Sequence, residues 1–206
     1  MGSAVEFEVR RVGPELVTGV AEVLAEAFDG YPWTDWTVAA DRHRERLTSL
    51  FALTVATVGV PHGQSWAVVG PDGRPVAAAV WLRPDRPVPD EVWATLADRT
   101  RDLAGDRYPA LLAAESACAP LRPTEPVFLL ATVGVRPDRQ GRGLGERVLR
   151  PGLAEADRAG VPAALETSSA SNVRFYQRLG FAVTGEVTVD GGGPRVWGMR
   201  RPASAV

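Results

Sequence analysis

The chain contains no lysine; all 23 of its basic residues are arginine. That single absence removes three classes of chemistry at once: the lysine-bearing phosphate loop of nucleotide hydrolases, Schiff-base catalysis, and a lysine general base. Cysteine is nearly absent too. Cys118 stands alone, which excludes an internal disulfide framework and a cysteine metal cluster. The two histidines, His43 and His62, belong to no metal-spaced set and read as solvated or capping residues. No metal is expected. No apolar run reaches the ~18 to 20 residues that cross a bilayer. The first residues, MGSAVEFEVRR, lack the apolar core of a secretory signal. A net charge of -2 gives no whole-chain attraction to nucleic acid or to an anionic membrane. The expectation is a cytoplasmic protein with no nucleic-acid or membrane partner, present as a monomer or homodimer.

What is there reads as one α/β domain spanning 1–206. FEVRRV (7–12) is a strand, and Pro14 opens a helix that places Leu16, Val20, Val23, Leu24 and Ala27 on one face. DGYPWTDW (29–36) interrupts the pattern, and a second helix follows over about 41–58. SWAVVG (65–70) and PVAAAVWL (75–82) are strands joined by a turn at 71–74. Residues 88–119 form two helical segments broken near 105–109. PVFLLATVGV (126–135) is a continuous apolar run, as expected of a strand buried on both faces. Leu144 to Ala159 is helical, and Pro151-Gly152 inside it should kink it. PAALETS (162–168) is a strand, Asn172 to Leu179 a short helix, and the last two strands close as a hairpin around 191–193. The strand–helix–strand unit over 126–168 should be parallel. The other pairings are antiparallel, so the expected fold is a mixed, mostly antiparallel sheet of about seven strands with helices on both faces.

RPDRQGRGLG (136–145) lies between the buried strand and the helix. Backbone amides of such a loop, with the free amides of the helix's first turn, make an anion site. Glycines 141, 143 and 145 allow close approach and positive φ, and Arg139 and Arg142 can add charge-assisted contacts. The dinucleotide pattern G-x-G-x-x-G fails on spacing, and the nucleotide-hydrolase loop fails on lysine. By itself the loop is equally well a plain turn. The arginines of 136–150 have no interleaved aromatics, which argues against RNA.

The longer string decides between these. VGVRPDRQGRGLG resembles the acyl-CoA signature of the GNAT superfamily of N-acetyltransferases, a strand followed by V-x-P and Q/R-x-x-G-x-G/A. Val135 and Pro137 fill the first element; Gln140, Gly143 and Gly145 fill the second. NVRFYQRLGF (172–181) resembles the family's second signature through Asn172, Tyr176, Gly180 and Phe181.

The resemblance implies acetyl-CoA as cosubstrate, with its pyrophosphate on the amides of Gln140, Gly141, Arg142, Gly143, Leu144 and Gly145. It implies a pantetheine arm pairing as an added strand beside Val133, Gly134 and Val135, which requires the two parallel strands to splay there. An amide near Val133 would meet the thioester carbonyl and stabilise the oxyanion. Tyr176 is the candidate acid for the leaving thiolate; the alternative is a tyrosine packed in the core beside Phe175. Asn172 would hold the pantetheine or cap its helix. Glu166 is the candidate base or amine anchor; the alternative is a carboxylate that caps the next helix or accepts from Ser or Thr. Tyr31, Trp33 and Trp36 could stack on an acceptor or form a lid over the core, and the role of Asp35 is open. Cys118 has no adjacent base and reads as a buried small residue, which favours direct transfer in a ternary complex. The implied acceptor is the primary amine of a small molecule, an aminoacyl-nucleoside of the puromycin kind. Rivals are another amine (an antibiotic, an amino-acid derivative, a protein N-terminus) and a non-catalytic acetyl-CoA sensor.

Overall fold

The computed structural model describes residues 7–204. Seven strands form one sheet in the order β1-β2-β3-β4-β5-β7-β6. They are β1 (Glu8–Arg11), β2 (Gln64–Val69), β3 (Pro75–Leu82), β4 (Phe128–Val135), β5 (Ala163–Thr167), β6 (Ala182–Thr188) and β7 (Arg195–Arg201). Among the described residues only β4 and β5 pair in parallel. They are joined by α6 (Leu144–Ala159), so the crossover expected from sequence is present.

Alternation along the strands divides the core. Trp66 and Val68 of β2 face one side and Ala67 and Val69 the other. On the first side, α6 and α7 (Ala170–Arg178) cover Trp81, Phe128, Leu165 and Met199. On the second, α1 (Val17–Phe28) and the turn Val55–Gly59 cover Ala78 and Val80. The turn Val55–Gly59 is a π-helical extension of α3 (His43–Thr54). Helices α4 (Asp90–Ala104) and α5 (Tyr108–Cys118) are separated by a 3-10 turn at Gly105–Arg107, where the break was expected. No helix among the described residues is long and apolar enough to cross a membrane.

Three expectations need correction. The stretch 29–36 is not merely an interruption. Pro32, at a first helical position where its missing N–H is harmless, starts a six-residue helix α2 (Pro32–Thr37). The helix near 172 begins at Ala170 with Ser169 as N-cap, so Asn172 lies in the first turn and caps nothing. Strand β4 is not buried on both faces. Phe128, Leu130 and Gly134 are buried, but Ala131 is exposed and Thr132 and Val133 are half-buried. The cause is a β-bulge. Val80 pairs with Thr132 and Trp81 with Leu130, leaving Ala131 as an extra residue on β4. A bulge bends its strand and shifts which residues face each side.

Candidate active site

The bulge builds the site. Parallel pairing of β4 with β5 ends at Leu130 with Leu165. Before the bulge, Phe128 turns its N–H to the β5 side, donating to Pro162 O at 2.9 Å. After it, Arg136 donates to Val76 O at 2.9 Å, on the β3 side. Backbone direction alternates along an antiparallel strand. Gly134 therefore also faces β3, while Val133 and Val135 turn their backbone groups toward the gap left by β5. Gln140 fills part of this need, donating from Nε2 to Val135 O at 3.2 Å. Gly134 lets α1 lie close on this stretch: a Cβ there would sit 2.7 Å from Ala27 Cβ.

Below the gap the chain turns through Pro137–Arg139 and enters α6. Gly141 (φ 73°) and Gly143 (φ 74°) both lie in the left-handed region. An L side chain at either position would be strained. The turn they allow aims the first amides of α6 into a cavity of about 560 Å³. That cavity runs from Gln140, Gly141, Gly143, Leu144 and Gly145 to Tyr176. Arg142 is exposed and does not line it; only its backbone takes part in the turn.

A second cavity of about 210 Å³ opens on the other side of the splay. Phe28, Tyr31, Val133, Asn172 and Tyr176 line both, so the two spaces meet at Tyr176. Tyr176 is buried among Phe175 (ring centroids 5.2 Å apart) and Phe181 (5.8 Å). Burial, aided by nearby Tyr31, pushes its phenol well above the ordinary value. Core packing and a cavity position thus coincide in one residue.

The smaller cavity carries the polar groups. Glu166 lines it from β5 and Glu115 from α5. Arg122 binds Glu115 and lies 3.5 Å from Glu166 Oε1. Burial raises the Glu166 carboxyl, Arg122 pulls it back, and Glu115 adds to the rise; the net direction is up. Cys118 is buried beneath them, its thiol pushed up to about 11 by burial and by the Glu166 and Glu115 carboxylates. It is a poor nucleophile. Tyr31 accepts a hydrogen bond from Ser168 N–H at 2.7 Å and meets Thr167 Oγ1 at 2.9 Å. Its hydroxyl is therefore committed to holding α2's entry against the end of β5, and its ring faces the cavity.

Trp36 is not in this wall. Its carbonyl accepts from Arg107 Nε at 2.7 Å, and the Arg107 guanidinium lies 4.5 Å over its ring. Trp33, one helical turn earlier, lines the cavity instead. Asp35 turns outward to His43, 3.5 Å from Nε2. Sequence reasoning missed Glu115, Arg122, Thr132 and Ser168. Glu115 and Arg122 carry no local signal, because they reach the site from a distant segment, whereas Thr132 and Ser168 stand beside the expected Val133 and Glu166 but a hydroxyl at a strand end marks nothing by itself.

The acetyltransferase (GNAT) family profile matches residues 25–181, a span holding α2, β4, the glycine turn, α6, β5 and α7. The chain belongs to the acetyltransferase (GNAT) family. Among solved structures, a Corynebacterium glutamicum protein described as histone acetyltransferase HPA2 and related acetyltransferase is 25% identical, with a TM-score of 0.75 over 97% of this chain and 98% of that one. Polyamine N-acetyltransferase of Drosophila melanogaster is 22% identical, with a TM-score of 0.62 over 96% and 100%. Arylalkylamine N-acetyltransferase 2 of Aedes aegypti is 14% identical, with a TM-score of 0.64 over 96% and 99%. The latter two share the fold. As a GNAT enzyme the chain is an acetyl-CoA-dependent N-acetyltransferase, and the residues present fit that cosubstrate. An anionic group suits the glycine turn and the α6 N-terminus. An extended amide-bearing chain suits the free backbone of Val133 and the N–H of Val135.

Proposed function

We propose that the chain works as a single N-acetyltransferase domain that moves the acetyl group of acetyl-CoA onto the primary amine of a small molecule, of the puromycin type, by direct attack. The observation that carries this reading is the meeting of two cavities at Tyr176, one floored by the helix N-terminus and the other walled by carboxylates and aromatic rings. Acetyl-CoA supplies an activated thioester. Glu166 takes the proton that the acceptor amine loses as its N–C bond forms. The Val133 amide donates to the acetyl oxygen, where negative charge builds. Tyr176 donates its phenol proton to the sulfur as the C–S bond breaks. A phenol held neutral by burial keeps that proton until it is needed. An α-amine, with an ordinary pKa of about 7.7 to 8.0, asks little of the base.

The puromycin assignment rests on a likeness to puromycin N-acetyltransferase in EPVFLLATVGVRPDRQGRGLG, AGVPAALETSSASNVRFYQRLGF and YPWTDWTVAADRHRER. Trp33, Asp35 and Trp36 depart from it, and Trp33 lines the cavity. A mass-spectrometric screen of amines with acetyl-CoA, puromycin included, tests both levels. Acetyl-puromycin is the expected product. Turnover of a different amine alone would remove the acceptor assignment and keep the chemistry.

Glu166→Gln separates the base role from a structural one. In the wild type, kcat/KM should rise with pH through the acceptor amine, near its ordinary pKa of about 7.7 to 8.0, and also, at lower pH, through the raised Glu166 carboxyl. In the variant the lower-pH limb should vanish and the rate fall by about 10²-fold, the low end of general-base contributions. Stability should move the other way. A carboxyl raised by folding weakens the fold as pH climbs past its unfolded value, so at neutral pH the amide should unfold no earlier than wild type. A variant that keeps the wild-type rate and lower-pH limb would remove Glu166 from the reaction.

A further inference from the structure

Two residues that line the smaller cavity carry hydroxyls with no partner among the described residues. Thr132 Oγ1 and Ser168 Oγ are both shut off from bulk water and bonded to nothing among the described residues. Ser168 is only 8% exposed. They lie on opposite sides of the splay, Thr132 past the last paired residue of β4 and Ser168 past that of β5. Both line the cavity that holds Glu115 and Glu166. Of the other hydroxyls in this wall, those of Tyr31 and Thr167 bond each other and Tyr31 accepts from Ser168 N–H, while that of Tyr176 has its own role in the proposed proton transfer. A buried polar group without a partner is unfavourable, and such groups in a native fold call for a cause. Here a ligand is the cause the geometry offers. Carboxylates are acceptors only and suit the N–H groups of an amine. Hydroxyls supply the donors that the carboxylates lack.

We infer that the acceptor carries an oxygen acceptor beside its amine, as an α-aminoacyl compound does, and that Thr132 and Ser168 donate to that oxygen. This rests on the acceptor reading given above. Plain alkylamines and polyamines lack the group and leave both hydroxyls unpaired in the complex. A site built to hydrogen-bond a substrate group discriminates strongly against an analogue without it.

Phenylalaninamide and phenethylamine make the test pair, since they share the ring and differ at the carbonyl. Their amines also differ in basicity, which affects wild type and variants alike. The deciding quantity is therefore the change in the ratio of their kcat/KM values on substitution. Thr132→Val and Ser168→Ala, separately and together, should lower the ratio by about tenfold or more, the loss coming from phenylalaninamide. Phenethylamine, which offers these hydroxyls no oxygen, should lose clearly less than phenylalaninamide. The variants should unfold no earlier than wild type, because the hydroxyls they lose are unpaired in the free protein. An unchanged ratio overturns the inference. So does an equal loss on both amines, or a clear drop in unfolding temperature, since either marks a structural role. Acetylation of both amines with an unchanged ratio leaves the acetyltransferase reading standing; transfer to neither, nor to any other amine, overturns both.

Discussion

Replacing Tyr176 with phenylalanine is expected to lower kcat by about 10² to 10⁴-fold, the usual range for removal of a general acid, while acetyl-CoA still binds. The ring stays and only the hydroxyl goes. Its packing against Phe175 and Phe181 should survive, and with it the wall that both cavities share. The buried phenol takes no hydrogen bond from the described residues, so its removal orphans no partner. The fold should therefore lose little, and thermal unfolding checks that. The pH profile gives a second readout. Because burial raises the phenol, the wild type should show no alkaline loss of activity across the range where an ordinary tyrosine, near pH 10, ionises. Release of free CoA thiol, followed against acetyl-CoA and a turned-over amine, measures both. A phenylalanine variant as fast as wild type on every amine would sink the acid assignment. Tight acetyl-CoA binding without transfer by the wild type would favour a sensor.

Much of this site could be read from the chain because its parts are local. The glycine turn and the helix after it follow from spacing within a few residues, and the family resemblance points to Tyr176 on the next helix. The order of strands and helices was legible for the same reason, as period-2 and period-3.6 runs separated by Gly and Pro. The rest depends on where distant elements meet. The run PVFLLATVGV carries no mark of the bulge at Ala131, since an apolar residue fits either a paired or an unpaired position. Yet that one extra residue turns Val133 and Val135 toward the gap and exposes the end of β4. Trp33 and Trp36 could not be told apart while 29–36 had no helical phase. It is Arg107, seventy-one positions away, that holds Trp36 out of the cavity. Glu115 and Arg122 reach Glu166 only because α5 and the turn after it pack against β6, a contact that no periodicity reports.

Gly152→Ala is expected to destabilise the protein by about 1 to 3 kcal/mol, the usual range for overpacking a tight core. The sign is a real contest. Alanine in a helix interior is favoured over glycine by roughly 1 kcal/mol, and α6 runs as one helix through Pro151 and Gly152. Helix propensity alone therefore predicts a more stable variant. Packing predicts the reverse. A Cβ at this position would lie 2.3 Å from both Cε2 and Nε1 of Trp81, where carbon atoms rest at about 3.5 to 4.0 Å. Trp81 is fully buried on β3 and has nowhere to go. The helix must move away by more than an ångström, or the ring must leave its place. The sequence placed a kink at Pro151-Gly152; the structure gives the glycine a different task, that of letting α6 lie on the indole. The consequence reaches the site, because the same helix carries the amides of Leu144 and Gly145 at its start. A misplacement of about 1 Å can cost on the order of 10²-fold in rate, so acetyl-CoA affinity and turnover should fall along with the unfolding temperature. A double-mutant cycle isolates the clash. In the Gly152→Ala background, Trp81→Leu should cost far less than it does in wild type, the two changes coupling through one contact. Denaturant unfolding of the four proteins measures the coupling. A Gly152→Ala protein more stable than wild type would mean that propensity wins and that α6 is free to settle elsewhere on the sheet.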